Sequence, residues 1–330
     1  MQNKEKNRNQ VRLFQQIKKV LPHTSLAAEI SDFLEIGIDP VYRRVRGDMT
    51  ISFEEAIKLC RRFGISLDSF VYDTNPYQMK FELVPYDITN IDSYYVFAQD
   101  LASITNAMKS TSESKIILSA ADISVFHFLE YMDMTVFLLF SWKKSVSDLP
   151  INYEEFFNEL DTERLSKYYK NIIDNYSLIE SSEIWTNYTI DSILKLIKYH
   201  FEMKHFNDNS IPLLLCEQLL DLNNKLQNWM KIGTKGLKGA PFHFYLNDID
   251  LGNTFLLFKN AGISNCFIKL FTVNGINILD KEFCQEVEIW LESLTKRSIA
   301  LSKISEKERF QFVSSQKQKI ASLIKTIENS

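Results

Sequence analysis

The sequence predicts an α+β chain in two parts: an all-helical head of five short helices, and a mainly helical body containing a small antiparallel sheet. Three observations carry this expectation. Only 9 glycines and 7 prolines in 330 residues favour long helices over a turn-rich all-β chain. Residues 9–72 break into short amphipathic segments separated by capping and turn residues. Three aromatic and β-branched runs, residues 242–246, 254–258 and 266–273, are separated by turn-like DIDLGN and AGISN and read as an antiparallel meander closed by Asn274 and Gly275.

In the head, Val11, Leu13, Phe14, Ile17 and Val20 recur at helical spacing and predict a first helix that ends at Leu21-Pro22. Thr24 or Ser25 caps a second helix whose inward face is Leu26, Ala27, Ile30, Phe33 and Leu34. Gly37 offers the positive φ of a turn, Asp39 an N-cap and Pro40 a first helical position, so a short third helix, PVYRRVRG, follows. Ser52 and Glu55 have the spacing of a capping box and open a fourth helix over residues 53–63, closed by Gly64. A fifth helical turn is expected at residues 66–71. The polar segment DTNPY, residues 73–77, marks a linker between a head of residues 1–72 and a body of residues 78–330.

The body opens with a strand near residues 79–84 and a helix at 91–108. A short strand at 116–118 and an apolar helix at 133–144 come next. About four more helices fill 154–229, with breaks at 179–182 and 207–212. After the meander, helices at 281–300 and 306–327 end the chain.

A hydrophobic content of 45% supplies a large core and argues against disorder. The net charge of −4 is uneven: residues 1–72 hold 12 Lys and Arg against 9 Asp and Glu, leaving 26 against 33 for the rest. A slightly basic head on an acidic body fits one end approaching a polyanion. Cys60, Cys216, Cys266 and Cys284 show no C-x-x-C spacing, so neither a zinc site nor a disulfide framework is expected. The opening MQNKEKNRNQ has no apolar stretch, and the most apolar run, residues 135–142, is far short of the ~20 residues of a membrane span. The expectation is a cytoplasmic protein without membrane association.

The apolar segment AAEISDFL, the turn after it, the short VYRRVRG ending in R-G, and a further helix leading into GISLDSF together resemble the lambda-repressor/Cro-type helix-turn-helix family over about residues 9–72. Two positions depart from the family pattern. Glu35 stands where the family usually has glycine, and Arg44 stands where it usually buries an apolar residue. The stretches AADISVFHFLEYMDMTVFLLFSW, SSEIWTNYTIDSIL and KISEKERFQF give the whole chain a likeness to bacterial helix-turn-helix proteins whose C-terminal region has no characterised role.

The resemblance implies double-stranded DNA as partner, with the start of the third helix in the major groove. Tyr42, Arg43 and Arg46 are then the expected base contacts, because arginine pairs bidentately with guanine. Arg44, Thr24, Ser25, Arg8 and Arg12 are the expected phosphate contacts. Two half-sites read by a homodimer would give tighter recognition, and Ile320, Leu323, Ile324 and Ile327 on the last helix offer a stripe for either dimerisation or packing within the body.

No catalytic residue, metal site or cofactor is expected. His200 and His205 are five apart, which puts them on different helix faces, His127 in VFHFLEY reads as a core residue, and His243 alternates with aromatics on a strand. GTKGLKGAP, residues 233–241, lacks the order of a phosphate loop and reads as a connection. The expected function is a sequence-specific transcriptional regulator whose body senses a small-molecule effector or dimerises. The alternatives are a protein-interaction scaffold with a head that does not bind DNA, and an enzyme built in the body.

Overall fold

The computed structural model describes residues 7–21, 25–67, 70, 81–111, 113–249 and 251–330. The chain divides between residues 79 and 80 into two compact units. The expected linker, Thr24 and half of the expected fifth helical turn lie outside the described residues.

The first unit contains α1 (Arg8–Val20), α2 (Leu26–Leu34), α3 (Ile38–Val45) and α4 (Phe53–Phe63). Leu13, Phe14, Ile17, Ala27, Ile30, Val41, Leu59, Cys60 and Phe63 form its core, the inward positions of four amphipathic stripes. Ser52 and Glu55 do form the capping box, each side chain bonding the other's backbone N–H. The connection from α2 to α3 is built differently from the expectation. Glu35, not Gly37, takes the left-handed conformation (φ 55°), and its following N–H, that of Ile36, donates to Ser31 O at 3.1 Å. Gly37 is extended (φ −63°, ψ 157°) and caps α3, which begins at Ile38 rather than after Asp39. Four helices are described, the expected fifth falling partly on residues outside the description, and they do not clearly reproduce a helix-turn-helix.

The second unit corrects the expected sheet. Instead of a small antiparallel meander in a mainly helical body, eight strands form one mixed sheet in the order β1-β7-β6-β5-β2-β3-β4-β8. These are β1 (Glu82–Val84), β2 (Lys115–Ala120), β3 (Glu180–Trp185), β4 (Phe242–Leu246), β5 (Phe255–Asn260), β6 (Ile263–Phe271), β7 (Asn274–Ile278) and β8 (Ile299–Ala300). Strands β2, β3 and β4 are parallel, and the remaining pairings are antiparallel. The parallel trio needs long crossovers, and helices supply them. Between β2 and β3 run α6 (Val125–Phe128), α7 (Met132–Val146), α8 (Tyr153–Glu159) and α9 (Thr162–Ser177). Between β3 and β4 run α10 (Asp191–Glu202) and α11 (Ser210–Ile232). Phe242–Leu246, expected in the meander, therefore belongs to the parallel part. Asn274 and Gly275 begin β7, and the β6–β7 turn is Thr272-Val273.

Side chains alternate across the sheet. Ile116, Leu118, Ala120, Trp185, Phe242 and Phe244 enter a large core shared with α5 (Asp92–Lys109), the crossover helices and α13 (Glu306–Glu328). Ile117, Ile184, Leu257, Cys266 and Ile278 face the other way, covered by Cys284, Val287, Leu291 and Leu294 of α12 (Lys281–Arg297). Ile320, Leu323 and Ile327 on α13 are buried in the large core, so of the two readings of this stripe, dimerisation or packing within the body, the second holds. The four cysteines are unpaired and buried. Among the described residues no helix is long and apolar enough to cross a membrane.

Candidate functional site

In the first unit, α3 is held by few residues. Val41 is fully buried, and Gln10 on α1 clamps the end of the helix by donating to Arg44 O and Met49 O at 2.7 Å while accepting from the Ile51 N–H at 3.0 Å. Asn7 donates to Gly47 O at 2.6 Å, which brings the start of α1 beside the same end. The three arginines then part company. Arg43 and Tyr42 are exposed, and the Arg43 guanidinium has no hydrogen-bonding or ionic partner among the described residues, while its carbonyl accepts from the Asp48 and Met49 N–H groups. Arg46 is exposed and paired with Asp48 at 2.9 Å. Arg44 lies one turn on from Val41 on the inward side, and its guanidinium meets Glu55 at 2.9 Å with only 14% of the side chain exposed. It is therefore engaged within the fold rather than held out for phosphate.

Arg8 is exposed at the start of α1. Arg12 lies over the Phe70 ring at 5.8 Å. Ser25 is the N-cap of α2, but its side chain makes no cap bond.

The second unit contains two polar constellations that sequence reasoning did not find. At the centre of β3, the carboxylate of Glu183 is fully buried and accepts from His127 Nε2 at 2.8 and 2.9 Å and from Trp185 Nε1 at 2.9 Å. The Tyr176 hydroxyl also donates to it. Burial by itself would raise the carboxyl, but the His127 charge and hydrogen bond and the Tyr176 donor hold it below its ordinary range. Lys235, from the loop read as a connection, is also buried and donates to Tyr176 O at 2.8 Å and Ile179 O at 2.5 Å. His127 and Glu183 are both wholly enclosed, so no substrate reaches them in this state. The network satisfies a buried charge and ties three crossover elements together.

The other histidines have different settings. His200 and His205 meet through their Nδ1 atoms at 2.8 Å, because Lys204 (φ 55°) turns the chain back at the end of α10; the five-residue spacing did not separate them. Burial first, then the charges of His205 and Lys144, push His200 down to about 4. His243 lies 3.5 Å from Glu180 at the surface. Among the described residues no three His, Cys, Asp or Glu side chains come together as a metal site.

The second constellation surrounds a cavity of about 430 Å³ between the antiparallel part of the sheet and α5, α6 and α7. Its walls are aromatic and aliphatic, with Phe97, Phe128, Trp142, Leu256, Phe258 and Phe267 foremost. Asp122, Ile123, Ser124 and Val125 line it just beyond the end of β2, the strand at the border between parallel and antiparallel pairings, the kind of place where α/β sheets hold ligands. Asp122, two residues beyond β2, accepts from Thr254 Oγ1 at 3.0 Å and pairs with Lys269 of β6. The Lys269 ammonium also lies 5.8 Å from the Trp142 ring centroid. At the rim, the Tyr86 hydroxyl donates to Asp100 at 2.9 Å. Burial, then that carboxylate, raises the Tyr86 hydroxyl and keeps it a neutral donor.

Comparison of the chain with protein-family models, with curated proteins and with solved structures finds no match in any of the three.

Proposed function

We propose that this protein is a DNA-binding regulator whose first unit grips double-stranded DNA and whose second unit holds a small-molecule effector. The reading is carried by one observation: Tyr42, Arg43 and Arg46 stand exposed on a helix whose own folding uses Val41 and Arg44 instead. Arg43 and Arg46 serve as base contacts, with Tyr42 beside them. Arg8, Arg12 and Ser25 supply phosphate contacts, while Arg44 acts as a structural support. A homodimer reading two half-sites completes the proposal.

The test is DNA affinity as a function of salt for Arg43→Ala and Arg46→Ala. Each is expected to lose about 1–3 kcal/mol of specific binding and to relax base preference. Unchanged binding in both variants rejects these residues as the reading head. A second reading, a protein-interaction module, is favoured by the Arg46–Asp48 pair, which occupies one of the two arginines proposed as base contacts. Under that reading neither variant binds DNA worse than the wild type.

A further inference from the structure

The cavity in the second unit carries more chemistry than its apolar walls. Asn265 and Thr272 both line it, and each has a buried side-chain oxygen without a hydrogen-bond partner, Asn265 Oδ1 and Thr272 Oγ1. A buried polar atom left unpaired is costly and calls for a partner from elsewhere. Thr272 also sits at φ 53° in the β6–β7 turn, a left-handed conformation that β-branched residues rarely adopt. Backbone strain of this kind collects at ligand sites.

The charges indicate what sort of partner fits. Lys269 is already neutralised by Asp122, and the remaining charged group among the lining residues is Asp100, so the lining as a whole carries one net negative charge. A carboxylate or phosphate meets repulsion there unless it breaks the Asp122–Lys269 pair. A cation meets the Lys269 ammonium, which already faces the ring of Trp142, and the one remaining carboxylate, Asp100, already accepts from the Tyr86 hydroxyl at the rim. An uncharged group pays neither cost, and a hydroxyl or amide both donates to Asn265 Oδ1 and answers the Thr272 hydroxyl. At roughly 30 Å³ for each water-sized group, the cavity has room for on the order of 14 non-hydrogen atoms.

We infer that the cavity binds an uncharged, largely apolar molecule of about that size carrying one hydroxyl or amide, held by Asn265 and Thr272. The inference rests on the regulatory reading only for what the ligand controls; binding itself is independent of DNA.

The experiment titrates the full-length protein, without DNA, with 1-decanol, decanoate and decylamine below their aggregation limits. The readouts are Trp142 fluorescence, identified by its loss in Trp142→Phe, and thermal midpoint. Decanol is expected to bind, with the two charged analogues at least about tenfold weaker. Asn265→Leu should remove most of the preference for decanol, and Leu256→Trp should fill the cavity and abolish binding. Absence of decanol binding, a preference for decanoate or decylamine, or decanol binding untouched by both variants overturns the inference. Where decanol binds selectively but leaves DNA affinity unchanged, the site stands and the regulatory reading falls.

Discussion

The Arg44 guanidinium lies 2.9 Å from the Glu55 carboxylate, joining the last turn of α3 to the first turn of α4. Glu55 also accepts from the Ser52 N–H at 2.8 Å, so one carboxylate closes a capping box and anchors an arginine. Arg44→Ala is therefore expected to act on stability, at about 1 kcal/mol, by leaving Glu55 without its partly buried partner. Urea unfolding of the first unit measures it. A variant that unfolds like the wild type but binds DNA less well returns Arg44 to the DNA surface.

Asp48 pairs with Arg46, the guanidinium that the proposed reading gives to a DNA base. In Asp48→Asn the guanidinium is released and a like charge is removed from the approach of the polyanion. DNA affinity should rise several-fold at low salt, with a steeper salt dependence. An affinity that falls or does not move places Arg46 away from DNA.

The His200–His205 pair is expected to make the second unit sensitive to acid. His200 is lowered in the fold to about 4 against an ordinary 6.5, so the unfolded chain takes up its proton first. The contribution is fully present above pH 6.5, shrinks as pH falls from 6.5 towards 4, and is on the order of 3 kcal/mol across that window. His200→Phe, which keeps a ring against Phe137 and Phe140, should flatten the stability profile between pH 4 and 6.5. An unchanged slope in guanidinium unfolding at several pH values would rule the pair out as its source.

Thr272→Gly should raise the thermal midpoint of the second unit, since glycine takes φ 53° freely; the gain is about 1 kcal/mol. The same change removes one polar partner from the cavity, so stability and ligand binding should move in opposite directions. A variant less stable than the wild type would mean that the turn is not strained.

The head's helices are legible in the sequence because each is short and striped, and Ser52 and Glu55 announce α4 by themselves. The turn before α3 was misread because Glu35 takes a conformation that residue type alone assigns to Gly37. The sheet was underestimated for a clear reason. Buried parallel strands usually read as apolar runs, yet β3 is ESSEIW, with Ser181, Ser182 and Glu183 all buried. Its partners for that charge, His127, Tyr176 and Lys235, come from separate parts of the chain, and no local pattern brings them together. Without an apolar signal at β3 the sequence pattern holds no parallel trio, and Phe242–Leu246 reads as part of the meander. The exposed Arg43 is legible as part of a cationic run, and the inward turn of Arg44 agrees with its place where the resembled family buries an apolar residue; its partner Glu55 left no such signal. The cavity was foreshadowed only by the abundance of aromatic residues; Asp122, Lys269, Asn265 and Thr272 left no signal in sequence.

The most direct test of the central claim is selection of bound fragments from genomic DNA by the full-length protein at about 150 mM salt, where nonspecific phosphate attraction is already weakened. The account predicts enrichment of a defined site, lost in the Arg43→Ala, Arg46→Ala double variant. No enrichment by a folded wild-type protein, with and without a bound cavity ligand, contradicts it.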